Sequence, residues 1–156
     1  MIYEYKGLSY PQYLKEGNAT QYITPFAKKF CKGNGIDIGC GDYPLEGSIP
    51  WDLKDGKSAD TINGPFDYIY SSHCLEHISD YISTLEYWYS QCKVLFLYLP
   101  HPDMEYWLPQ NNRKHLHSWY PEDMVKVLED IGFKDVIHSE RDLFWSYSVV
   151  GYVRLP

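Results

Sequence analysis

The chain is short of positive charge and has no cluster of it. Fourteen Lys and Arg stand against twenty-one Asp and Glu, a formal net charge of −7. No basic run exceeds the pair Lys28-Lys29. Phosphate backbones are held by clustered cations, so nucleic acid is a disfavoured partner. The four cysteines, Cys31, Cys40, Cys74 and Cys92, form no C-x-x-C pair. That argues against a zinc knuckle and against a thioredoxin-like redox site. No basic-then-apolar leader opens the chain, and no apolar run approaches the ~18 residues of a membrane span. The expectation is a reduced, cytoplasmic protein with no membrane partner, its cysteines packed as small apolar residues.

Aromatic residues are the surplus. Sixteen Tyr, five Trp and six Phe make up 17% of the 156 residues. Tyrosine serves both core and rim, because its ring is apolar and its hydroxyl wants water or a partner. The plain reading is an aromatic core; the sharper one is a pocket that stacks a flat ligand. The length fits one domain over residues 1–156. Residues 1–17 are rich in Tyr and Gly without a period, and read as an N-terminal arm or loop.

The rest alternates between strand and helix patterns. Tyr22, Ile23, Phe26, Ala27 and Phe30 recur at helical spacing. Asn18 or Thr20 offers a cap, but Pro25 suits a first turn, which places the helix start near Thr24. Strands are expected at 36–38, 48–53, 66–70 and 93–99, with a weaker extended piece at 59–62. A helix is expected over about 75–91. Pro121-Glu122-Asp123 opens another through about 130, with Ser118 as an upstream cap and Gly132 closing it. Two last strands follow at 133–138 and 146–154. Residues 100–120 hold prolines, aromatics and histidines with no period, a long loop of the kind that often carries function. The order predicts an α/β sheet, mostly parallel, with ligands at the carboxyl ends of its strands.

The most informative stretch is GIDIGCGDYPLEGSIPWDL. A strand carries Asp37 and then turns through Gly39 and Gly41, which lets a ligand approach bare backbone. A dinucleotide turn would need a third glycine where the chain has Pro44, and this turn does not run on into the Gly-Lys-Ser/Thr of a P-loop. Eleven residues after Gly41 comes Asp52, at the end of the next strand. An acid there accepts hydrogen bonds from both hydroxyls of a ribose. The pattern points to a nucleoside-like ligand without a phosphate cradle.

Asp37-Ile38-Gly39-Cys40-Gly41 resembles motif I of the class I S-adenosylmethionine-dependent methyltransferases. The stretch from Phe66 to Ile78, FDYIYSSHCLEHI, resembles their fourth-strand block, and PEDMVKVLEDIGF their late helix before the sixth strand. The resemblance covers about residues 33–154. It implies a Rossmann-like methyltransferase sheet, mostly parallel with an antiparallel C-terminal strand, and S-adenosyl-L-methionine as cofactor. Gly39, Cys40 and Gly41 would line its methionine part, and Asp37 would support the turn and the amino end. Asp52 would hold the ribose, with Trp51 and Leu53 near the adenine and Asp60 against its amino group. Ser72 and His73 would lie beside the sulfonium. The chain departs from the family where a helix usually joins the first two strands. Only Asp42-Tyr43-Pro44-Leu45-Glu46-Gly47 stands there, and the next link, after Leu53, is also too short. This resembles a reduced subgroup, with helices diminished between the first three strands.

Methyl transfer to a hydroxyl needs a base that titrates near neutrality, which favours histidine. His101 and then His117 are the catalytic candidates, with Asp103 and His115 as substrate contacts. His73-Cys74-Leu75-Glu76-His77 also matches H-x-x-E-H, the inverted zinc-protease signature. That chemistry requires both histidines on one helix, whereas FDYIY places His73 at a strand end. No metal is therefore expected, and zinc hydrolysis through His73, Glu76 and His77 is the remote alternative. The expected function is a methyltransferase for a small-molecule or sugar-like acceptor. The alternative is a cofactor-binding module without its own activity, or one completed by a homodimer or partner protein.

Overall fold

A computed structural model describes residues 2–5, 8–11 and 18–154 of the chain. β1 (Ile2–Tyr5) and β2 (Leu8–Pro11) pair antiparallel, so this part of the expected arm has strand structure. Residues 12–17 lie outside the described residues.

The main sheet has the order β4-β3-β5-β6-β8-β7. Its first four strands, β4 (Ile49–Trp51), β3 (Gly35–Ile38), β5 (Phe66–Ser72) and β6 (Cys92–Pro100), are parallel. β8 (Ser146–Tyr152) inserts antiparallel between β6 and β7 (Lys134–His138). The carboxyl ends of β3, β4, β5 and β6 therefore share one edge. The connections are as lean as the sequence implied. No helix joins β3 to β4, and a single 3-10 turn, Leu53–Asp55, lies between β4 and β5.

Each face of the sheet has its own chemistry. Ile36, Ile38, Ile69, Leu95, Leu97 and Leu99 point to one side, where they pack with Leu85 and Trp88 of α2 (Tyr81–Tyr89) and Met124 and Leu128 of α3 (Pro121–Ile131). The alternate residues Tyr68, Tyr70, Phe96 and Tyr98 point to the other side. There they meet Ala19, Ile23 and Ala27 of α1 (Ala19–Ala27) and the loop residues Leu45, Met104, Trp107 and Phe144. Period-two alternation on buried strands produces this division.

Four local expectations are corrected. α1 begins at Ala19 rather than near Thr24, because Asn18 caps it by accepting from Gln21 N–H at 3.3 Å. Pro25 then falls inside the helix, where burial of Ala19, Ile23 and Ala27 outweighs the donor it lacks. Residues 59–62 are not a strand. Side chains take the carbonyls a neighbouring strand would have used: Trp88 Nε1 donates to Ala59 O at 2.9 Å, and the Tyr87 hydroxyl donates to Ile62 O. Ser118 does not cap α3; Tyr120 precedes it and Pro121 stands in its first turn.

The fourth correction is the helix expected over about 75–91. It is a 3-10 turn, Leu75–His77, then an extended Ile78, then α2. Asp80 starts α2, its Oδ1 accepting from Ser83 N–H at 3.1 Å. The sign of one substitution reports this break. Asp80→Ala is expected to cost about 1 kcal/mol in urea unfolding, as a lost cap does. In one continuous helix, alanine would replace a poor helix former and stabilise the protein.

Candidate functional site

The site is built where β3 and β5 end. Gly39 has φ +78, and a Cβ on it would lie 2.4 Å from Cys74 Sγ and 2.6 Å from Cys74 Cβ. The Cys74 side chain of the turn after β5 thus packs onto the bare backbone of the turn after β3. Ser71 Oγ ties them further by donating to Ile38 O at 2.9 Å. Gly39 N–H donates to Trp51 O at 2.7 Å, which holds β4 alongside. Gly41, at φ +56, has open space where a Cβ would stand.

Asp52 organises the far side of the turn. One carboxylate oxygen accepts from Gly41 N–H at 2.7 Å and the other from Lys54 N–H at 2.9 Å. Beyond it opens a cleft of about 420 Å³, bounded by Ile38, Gly39, Asp52, Leu53, Asp60 and His73 among others. Leu53 is 75% exposed there, a bare apolar face beside two acids. Trp51 is not in the cleft lining. Its Nε1 donates to Ser58 O at 2.6 Å, so it braces the loop that carries Asp60. Asp37 is fully buried and absent from the lining; its Oδ2 accepts from Leu45 N–H at 2.8 Å. It holds the helix-less link at Leu45. Burial pushes its pKa up to about 7, the Leu45 N–H opposing and the nearby Asp52 charge adding.

A second cavity, about 380 Å³, lies across the glycine turn. Gly39, His73 and His77 line both cavities. Cys40, Gly41 and Ser72 line the second, together with the rings of Tyr43, Trp107, His115 and Phe144. Among the described residues, no Lys or Arg lines it. His73 stands at φ +48, its Nε2 on Ser146 Oγ at 2.9 Å and its ring edge-on to Trp107 at 4.9 Å. Burial, with His115 and His77 nearby, pushes its pKa down to about 3, so the ring is neutral.

The histidines chosen from sequence divide. His115 lines the second cavity. His101 lines neither cavity; its Nδ1 accepts from Asp103 N–H at 3.1 Å, and the Asp103 carboxylate lies 3.6 Å away. His117 is also outside both linings. Its Nε2 donates to Ile78 O and Ser79 O, each at 3.0 Å, while its ring stacks on Trp119. It is a strut across the break before α2. From sequence, Glu76 and His77 entered only through H-x-x-E-H and the remote zinc alternative. In the fold, Glu76 is fully buried and neither carboxylate oxygen has a hydrogen-bond partner. The three H-x-x-E-H residues do not share a helix: His73 follows β5, and Glu76 and His77 lie in the 3-10 turn.

Comparison with known proteins adds a family to this geometry. Residues 48–138, more than half of the chain, match the model of a methyltransferase domain. No curated protein matches the chain. Among solved structures, the fold is similar to an S-adenosylmethionine-dependent methyltransferase from Archaeoglobus fulgidus, with TM-score 0.64, 18% identity, and 90% and 97% of the two chains covered. It is similar to magnesium protoporphyrin IX methyltransferase from Synechocystis with bound S-adenosylmethionine, with TM-score 0.60, 12% identity, and 91% and 84% covered. A third likeness is to the complex of the Haloferax volcanii Trm112 methyltransferase activator with a methyltransferase, with TM-score 0.59, 11% identity, and 90% and 96% covered. Among the described residues, no helix is long and apolar enough to cross a membrane.

Two outcomes test the site's construction. Gly39→Ala is expected to destabilise the protein by at least about 1 kcal/mol more than Gly41→Ala in chemical denaturation, because only Gly39 adds an overlap to its left-handed strain. Asp37 gives a pH dependence. Its folded pKa of about 7 lies above the ordinary 3.8. Between those values the folded state holds a proton that the unfolded state has lost. Its stability contribution is full below about pH 4 and falls as pH rises to 7, by up to about 1.4 kcal/mol per unit. Asp37→Asn keeps an acceptor for Leu45 and is expected to flatten that slope in unfolding measured at pH 5 and 7.5.

Proposed function

Because the chain belongs to the class I S-adenosylmethionine-dependent methyltransferases, we propose that its two cavities divide the reaction between cofactor and acceptor. The first cleft takes the nucleoside: Asp52 at the ribose, Leu53 under the adenine and Asp60 at its amino group. The glycine turn takes the methionine part, which the open space at Gly41 supports. Bound there, the cofactor supplies an electrophilic methyl group on a positively charged sulfur. The wall shared by both cavities, Gly39 and His73, then lies between nucleoside and acceptor. A ring held neutral at His73 adds no charge beside a sulfonium. Correct placement of an acceptor against such a methyl supplies about 7–11 kcal/mol of the barrier.

The acceptor on this reading is a small, sugar-like or ring-bearing molecule in the second cavity. The rings of Tyr43, Trp107 and Phe144 support a stacked acceptor, and the lack of Lys or Arg among the described lining residues argues against a phosphate or carboxylate. His115 and His77 line that cavity, whereas the His101 and His117 expected from sequence lie outside both linings. The observation that carries this reading is the shared wall, which puts a cleft lined by Asp52 and Asp60 and an aromatic cavity on either side of one glycine turn. A second reading, that a partner protein completes the site, draws on the likeness to the methyltransferase held by the Trm112 activator.

Calorimetry with S-adenosylhomocysteine tests the assignment. The wild type is expected to bind, and Asp52→Ala to bind at least about tenfold more weakly, as loss of a hydrogen bond to a charged group implies. Unchanged affinity in the variant would overturn the ribose assignment. Binding without turnover of any acceptor until a second protein is added would favour the partner-completed reading.

A further inference from the structure

The long loop after β6 folds back onto the 3-10 turn that follows β5. The backbone carbonyl of Glu76 accepts from Leu116 N–H at 2.8 Å and His117 N–H at 3.3 Å. That clasp brings His115 beside His77, with ring centroids 4.7 Å apart and planes nearly perpendicular. Each imidazole is held by one nitrogen. His77 Nδ1 lies 2.6 Å from Lys114 O, and His115 Nδ1 lies 2.7 Å from Trp107 O. A carbonyl oxygen only accepts, so both Nδ1 atoms carry the proton and both Nε2 atoms present a lone pair. Glu76 Oε1 lies 3.5 Å from His77 Nε2. The Glu76 side chain is 0% exposed, with both oxygens unpartnered. One ligating atom from each of the three residues lies within 4.8 Å of the other two.

We propose that Glu76, His77 and His115 bind one divalent transition-metal ion of the zinc type in the wall of the second cavity. Two imidazoles and one carboxylate are a ligand set that zinc and ferrous iron favour, with positions left open for another molecule. Imidazoles whose other nitrogen donates to a backbone carbonyl are oriented as metal ligands are. Three metal-ligating groups this close, two of them imidazoles with a free lone pair, favour a cation between them. A proton on Glu76, whose pKa burial pushes up to about 8, serves that carboxylate alone; an ion joins all three groups. Ligand atoms around tetrahedral zinc stand about 3.3 Å apart, so uptake closes the present spacing by up to about 1.5 Å. His77, 38% exposed, has room to make that move. This is not the H-x-x-E-H arrangement: His73 is engaged with Ser146, and His115 comes from a different loop. If the acceptor enters the second cavity, the open positions of the ion face it; that last point rests on the function proposed above.

The test needs neither cofactor nor acceptor. Chelator-stripped protein is titrated with Zn2+ by calorimetry and with Co2+ by visible absorption. The expected result is one ion per chain, with cobalt d–d bands and no thiolate charge-transfer band. Glu76→Gln and His115→Gln, checked for fold by circular dichroism, are expected to bind Zn2+ at least about tenfold more weakly. No uptake by the wild type would overturn the proposal and leave Glu76 a protonated buried acid. Unchanged affinity in both variants, or a thiolate band with cobalt, would also overturn it. Should either variant fail to fold, the wild-type cobalt spectrum decides. Failure of S-adenosylhomocysteine binding would sink the cofactor reading and leave the metal result standing.

Discussion

Gly39 has no side chain, and Cys74 stands where one would be. The turns after β3 and β5 meet there without a spacer, and the rest of the functional edge is arranged around that contact. It brings His73 and the 3-10 turn of Glu76 and His77 against the glycine turn, so one close contact becomes the wall between two cavities. Asp52 secures the opposite flank by holding Gly41. The short links between strands make this contact more important. With no helix between β3 and β4, the glycine turn is positioned by Asp37 at Leu45, by Trp51 at Gly39 and by Cys74, rather than by a packed helix.

The same economy accounts for the aromatic surplus. The face under α2 and α3 takes branched side chains from β3, β5 and β6, with Trp88, Trp119, Phe133 and Tyr147 among them. The other face has α1 and loops. Tyr68, Tyr70, Phe96 and Tyr98 project far enough to meet Trp107 and Phe144. Large rings bury much area per residue, which suits a face with little helix to cover it. Their hydroxyls find partners at the margin, as when Tyr70 meets Thr20 at 2.9 Å and Tyr68 meets Ser48 at 2.6 Å. The plain reading of the composition, an aromatic core, holds for this face, and Trp107 and Phe144 carry it into the cavity lining.

What the sequence made legible was local. GIDI running into Gly39, FDYIY, the nearly all-apolar stretch of β6 and PEDMVKVLEDIGF each carry their own period or punctuation, and each folds as that pattern predicts. The position of Asp52 at the end of β4 was legible because its distance from the glycine turn spans a single strand. The errors lie where a distant partner decides. Leu75, Ile78, Ile82 and Leu85 keep a helical spacing straight through the break, and only Asp80 signals it. Glu76 falls in the first turn of the expected helix; its burial comes with a loop some forty residues away that closes over it. His101, His115 and His117 are equivalent to the eye in one unpatterned stretch. Tertiary contacts alone send one to the cavity, one to a carbonyl strut and one to neither cavity.

The sheet's outer margin is β4, three residues long with Pro50 in the middle. The Trp51 carbonyl oxygen turns inward to Gly39, so the alternate residue, Pro50, faces away from the sheet. A proline there offers no N–H to an incoming strand. At the opposite margin, β7 breaks register between Lys134 and Ile137. Both borders are therefore poor templates for intermolecular strand pairing, the usual route from an open sheet to aggregation. A protein docking at the β4 border would have to grip side chains, because that border has no regular ladder to extend.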